Sequence, residues 1–196
     1  STGEARKILV GDDIIAGDGA LLRLSTTASG GVLRSNVSRT GGDLVVGDGA
    51  SLEAGFVTLD ATRDNRFDGV LRFTGNGALE LSAGRISMGD VDSISEGLAF
   101  DHAALAGFSS LDSLLMRSYS SIDMYGDVIF GSEYLDVTFD AGGLAGHAGI
   151  NGAQAVSITA RNCVARRRSA RRSGVAVFDG LDDELMIPLG LDDREN

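Results

Sequence analysis

The residues of this chain best placed to do chemistry are three pairs of aspartates. They are Asp90 and Asp92 in "GDVDSISE", Asp123 and Asp127 in "SSIDMYGD", and Asp136 and Asp140 in "YLDVTFDAG". In a strand, side chains two or four positions apart stand on one face. Two carboxylates on one face at a suitable separation can serve as acid and base, or as acid and nucleophile, in breaking a glycosidic bond. Outward aspartates also form turns and keep a strand-rich surface wet, which is the role expected of them here.

The other reactive side chains offer less. Asp90, Asp92 and Glu96 are close in sequence, but the segment lacks the glycine and the bidentate glutamate spacing of an EF-hand loop. The nonapeptide of calcium-binding β-rolls is missing too, so no metal or cofactor is expected. His102, beside Asp101, and the distant His147 have no Cys or acid at ligand spacing, and both are expected at the surface. Cys163 sits among arginines that could lower its thiol pKa, but it has no resolving Cys or partner His. No catalytic residue is assigned. The remaining candidate is the basic run containing Arg166, Arg167, Arg168, Arg171 and Arg172, expected to be a processing site or a patch for anionic surfaces.

Composition narrows the function classes. The 196 residues carry 17 basic and 28 acidic side chains, a net charge of −11, and much of the basic charge lies between Arg161 and Arg172. The rest of the chain is therefore strongly acidic and would repel phosphate backbones, so no nucleic-acid partner is expected. One cysteine excludes an internal disulfide. No apolar run approaches the roughly 20 residues of a membrane-spanning helix. The absence of an initiator Met and of a signal peptide suggests a processed product or a fragment. With 28 glycines, one proline and no tryptophan, the chain is built to turn sharply and often, with strands between the turns.

Alternation supplies those strands. Val57, Leu59 and Ala61 oppose Thr58, Asp60 and Thr62; Leu79, Leu81 and Ala83 oppose Glu80 and Ser82. "YLDVTFDAG" and "AVSITAR" repeat the pattern, each predicting a half-buried strand with a wet outer face. Only "EGLAFDHAALAGF" (96–108) suggests a short helix. Gly-Asp/Asn-Gly-Ala recurs at 17–20, 47–50 and 75–78, and strand ends recur as "LEAG" (52–55), "LDAT" (59–62), "LSAG" (81–84), "FDAG" (139–142) and "ITAR" (158–161). Spacings of about 19 to 30 residues are those of solenoids, whereas a propeller blade needs roughly 40 or more. The expected fold is all-β, a parallel β-helix (β-solenoid) over residues 1–160, followed by an irregular tail, 161–196, that is Arg-rich and then acidic. Gly-Asp-Gly-Ala would mark a corner once per coil, and about six to eight coils at the strand spacing would form a rod about 30–40 Å long.

The stretch "LLMRSYSSIDMYGDVIFG" (114–131), followed by "VTFDAGGLAG" (137–146) and "AVSITA", resembles the filamentous haemagglutinin-like large exoproteins of Gram-negative bacteria. Its most specific part is Arg117 to Asp123. The resemblance implies a right-handed parallel β-helix, two-partner secretion through an outer-membrane transporter, and surface display as an adhesin. The implied partner is a host-cell or bacterial surface receptor or glycan, and the family carries over no catalytic residues. The match breaks off after Ala160. The expected function is attachment or a structural stalk; the alternative is a β-helical carbohydrate-active enzyme using outward acids, which the scattered aromatics do not favour.

Overall fold

Alternating residues become strands almost everywhere the pattern occurs. The computed structural model describes residues 13–26, 31–150, 152, 154–167 and 174–178, and these are mostly strand. The first strands are β1 (Asp13–Ala16), β2 (Ala20–Ser25), β3 (Val32–Ser35) and β4 (Leu44–Val46). Next come the long β5 (Ser51–Ala61), the short β6 (Asn65–Phe67), the long β7 (Val70–Ala83), β8 (Ile86–Gly89) and β9 (Leu98–Phe100). Helix α1 (His102–Gly107) and a 3-10 turn (Phe108–Ser110) interrupt them. Two like units follow: β10 (Ser113–Ser118), β11 (Ser121–Tyr125) and β12 (Asp127–Gly131), then β13 (Asp136–Ala141), β14 (Gly143–His147) and β15 (Ala155–Thr159). The last described strands are β16 (Asn162–Arg167) and β17 (Gly174–Phe178).

The two units stack strand for strand and in parallel: β10 on β13, β11 on β14, β12 on β15. β7 and β8 lie beneath β10 and β11 in the same way. Under β12 the place of a strand is taken by α1, which packs against it. Asp101 caps that helix, its carboxylate accepting from the Ala104 amide at 2.8 Å. The helix expected within 96–108 is thus confined to 102–107, and Leu98–Phe100 is strand.

The main sheet has seven strands in the order β17-β16-β13-β10-β7-β5-β2. Its inner strands are parallel, while β2 and β17, at the two ends, run antiparallel to their neighbours. A second, parallel sheet has the order β14-β11-β8-β9, and three two-stranded pairs complete the architecture. Inward positions stack on like residues: Leu59, Leu81, Met116 and Phe139 form one row, and Val57, Leu79, Leu114 and Val137 another. Each is 3% exposed or less. Taking such a side chain out of water contributes about 1.5–3 kcal/mol, so these rows are the main source of cohesion between strands.

Three expectations need correction. The outer face of the main sheet is not wet along the second halves of β5 and β7: Thr58, Asp60, Thr62, Glu80 and Ser82 are all buried. The Gly-Asp/Asn-Gly-Ala segments are not equivalent corners either. The first two turn into β2 and β5, with Gly17 and Gly49 at φ 80° and 79°. The third lies within β7, where the register against β5 shifts between Ala54 and Phe56, and is therefore a bulge. Finally, "LDAT", "LSAG" and "FDAG" share one column of the main sheet, but Leu52 pairs with Leu71 and Ile158 with Phe130 in another sheet. The main sheet also runs past Ala160, where the sequence pattern breaks, because β16 pairs in parallel with β13.

Candidate functional site

The buried polar face of the main sheet is organised around Arg117. Strand register sets Asp60, Ser82, Arg117, Asp140 and Arg166 in one row across five strands, and Thr58 and Glu80 in the next. Arg117 Nε donates to Asp140 at 2.9 Å and Nη1 to Glu80 at 2.7 Å. Nη1 also donates to the Val32 carbonyl, whose own amide donates to Glu80 at 3.2 Å. Arg34 Nε pairs with Asp60 at 2.6 Å, and the Tyr119 hydroxyl donates to the same carboxylate at 3.0 Å. The segment around β3 therefore lies across this face, and its arginine and backbone satisfy charges that would otherwise be costly to bury. Burial pushes the Glu80 carboxyl above its ordinary value, against the opposing pull of Arg117. Burial also opposes the charge on Arg117, but Asp140 and Glu80 outweigh it and its pKa is raised. With every charge engaged inside the protein, this cluster reads as a fastening, not a reactive centre.

A groove of about 470 Å³ opens beside the loop that follows β3, with Arg39, Arg63 and Arg85 and the acids Asp64 and Glu96 among its lining residues. Asp18 anchors the loop that supplies Ser38 and Arg39 to the lining. Its carboxylate accepts from four consecutive amides, Ser38 at 2.8 Å, Arg39 at 3.0 Å, Thr40 at 2.9 Å and Gly41 at 3.2 Å. The hydroxyls of Ser38 and Thr40 add 2.5 Å and 3.1 Å bonds. This wrapping, the Ser38 hydroxyl foremost, holds the Asp18 carboxyl well below the usual carboxylate range. Arg63 is committed to Asp43, with Nε at 2.7 Å from Oδ1, and lies 3.4 Å from Asp64. Arg85 lies 3.3 Å from Asp123. Among the described residues, Arg39 has no acid within ion-pair range.

The aspartates of the sequence meet different fates. Asp140 belongs to the Arg117 cluster and is 5% exposed, and Asp123 is equally buried, so neither is the open surface acid expected. Asp123 lies between Arg85 and His147, whose ring stacks on Tyr125 with centroids 4.5 Å apart. Asp136 is held below its ordinary pKa by hydrogen bonds, first from Arg161 and then from Asn162. Asp90 binds His102 at 3.1 Å and the Ile150 amide at 3.0 Å, so the partner of His102 is not its neighbour Asp101. Asp92 and Asp127 are exposed, and Glu96 joins the groove. Among the described residues, no three His, Cys, Asp or Glu side chains gather as a metal set.

Cys163 stands on the inward side of β16, in the row of Val137, and burial raises its thiol pKa, opposite to the lowering its arginine neighbours suggested. Of the basic run, Arg166 is exposed in β16 opposite Asp140, and Arg167 ends that strand; Arg168, Arg171 and Arg172 lie outside the described residues. The groove escaped sequence reasoning because its parts come from five separate segments. The only signal was an Asp between two glycines at 17–19, read as a turn and not as an anchor. Compared with family models, curated proteins and solved structures, the chain matches none.

Proposed function

We propose that this chain is a segment of a secreted, surface-displayed, right-handed parallel β-helix that acts in attachment or as a stalk. The observation that carries the proposal is the strand-for-strand stacking of β10–β12 on β13–β15, with β7 and β8 continuing the stack. Units that repeat in register along one axis add length and lateral surface, and such proteins bind over extended faces. The pairing of the aspartates supports the same conclusion, since Asp123, Asp136 and Asp140 are each bound to an arginine. The resemblance of residues 114–146 to haemagglutinin-like exoproteins supports export through an outer-membrane transporter and a surface receptor or glycan as partner. No helix among the described residues is long and apolar enough to cross a membrane.

The test compares turnover with binding. Asp123→Asn, Asp127→Asn and Asp136→Asn each remove a charge while keeping size. A display protein should lose about 1 kcal/mol or less of binding to host cells or immobilised glycans per substitution, and should show no turnover on a polysaccharide panel. Turnover in the parent protein that one of these substitutions abolishes would make it a carbohydrate-active enzyme instead.

A further inference from the structure

We propose that the groove beside the Ser38–Gly41 loop binds a saccharide unit bearing one carboxylate, with Arg39 as the group that meets the acid. This rests on the display function above and gives it a ligand class and an address. Arg63 and Arg85 already face Asp43 and Asp123, whereas Arg39 lines the groove without an acid partner among the described residues. Its backbone is left-handed, at φ 63°, a conformation that crowds Cβ against the following carbonyl. The amides and hydroxyls wrapped on Asp18 hold it there. A non-glycine residue kept in such a conformation by a side chain from another segment marks a position where presentation of the side chain is maintained against local preference.

The remaining lining selects the ligand. Asp64 and Glu96 would repel a polyanion, yet each can accept hydrogen bonds from sugar hydroxyls. One carboxylate among several hydroxyls satisfies both signs of charge, and the planar guanidinium matches a carboxylate through two parallel hydrogen bonds. A volume of about 470 Å³ lies within the range of small-ligand sites. A nucleic acid would instead bring successive phosphates against the two acids and find no aromatic side chain lining the groove.

The experiment titrates the whole chain by calorimetry with a methyl galacturonoside and with sialyllactose, each bearing one carboxylate, against the methyl ester of the galacturonoside and lactose. At least one carboxylated probe should bind, distinguishing uronate from sialate, and its neutral counterpart should bind about tenfold more weakly or worse. Arg39→Gln should weaken binding by a similar factor, as should Asp18→Asn, which leaves Arg39 in place but loosens its loop. Arg72→Gln, an exposed arginine outside the groove, should not change affinity. Unfolding midpoints of Arg39→Gln and Arg72→Gln matching the parent would separate lost contact from lost fold. Equal affinity for ester and acid, or full affinity in Arg39→Gln, would overturn the assignment. Cell or glycan adhesion without carboxylate binding would overturn the groove and leave the display function standing; absence of both would remove both.

Discussion

Arg117 is the residue on which the covered face of the main sheet depends. It reaches Asp140, Glu80 and the Val32 carbonyl from a side chain 4% exposed. Arg117→Met would keep most of the volume but leave two buried carboxylates without their cation. It should cost about 3–5 kcal/mol in urea unfolding. Glu80→Gln should cost about 1 kcal/mol or less, because the amide still offers an acceptor and the ionised carboxylate is already disfavoured by burial. The two losses being equal would contradict this account. pH provides a second check. Glu80 holds its proton more tightly in the folded chain than at its ordinary value of 4.5, so folding takes up a proton between that value and the raised one. Glu80 therefore adds stability as pH falls through that window, and this contribution is lost as pH rises through the folded pKa. Stability relative to Glu80→Gln, from urea curves at successive pH values, should shift in favour of the parent on acidification from neutral pH. None of this was legible in the sequence. The alternation that places Asp60, Glu80 and Arg117 on one face is also the pattern of a solvated face, and what covers that face lies 85 residues away from Arg117 at Val32.

At the scale of elements, alternation predicted the strands well because backbone pairing and side-chain burial share a two-residue period. It predicted partnerships less well. "LEAG" and "LSAG" look equivalent, yet the true column runs from Leu59 to Leu81, and the Thr58–Glu80 bond spans 22 residues. An inserted bulge between Phe73 and Ala78 displaced the apparent repeat, and only pairing reveals a bulge. The glycines at strand ends divide by the space around them. Gly131 ends β12 at φ 105°, with the Thr159 carbonyl where a Cβ would go, and β15 cannot withdraw without breaking its pairing. Gly131→Ala should cost about 2 kcal/mol or more. Gly107, which ends α1 in the right-handed region at φ −63°, has open space around it. Gly107→Ala should be neutral or stabilise by up to about 1 kcal/mol. Thermal and urea unfolding of the pair distinguishes a glycine required by stacking from one that merely occupies a turn.

The whole molecule raises the problem of ends. A stack of parallel strands leaves unpaired N–H and C=O groups at its terminal strands, a template for joining another copy. In the main sheet both ends are occupied by strands of opposite direction: β2 covers β5, and β17 covers β16. An antiparallel strand cannot be followed by the next parallel unit without reversing the pattern, so it acts as a stop as well as a cover. At the β2 end the cover is thin, since Leu22 and Leu24 are each 42% exposed over the last row of the core. Changing Leu21 and Leu22 together to proline removes two consecutive N–H groups, and because successive groups point to opposite sides of a strand, one of them must face β5. β2 should detach, baring the edge of β5 from Phe56 to Ala61. The expected result is association that grows with concentration in sedimentation, together with faster hydrogen exchange in β5 but not in β10 or β13 at the centre of the sheet. Leu22→Lys, which keeps the pairing and removes the exposed apolar side chain, should not promote association. If the double proline variant keeps the parent's mass and β5 protection, β2 is not what closes this end.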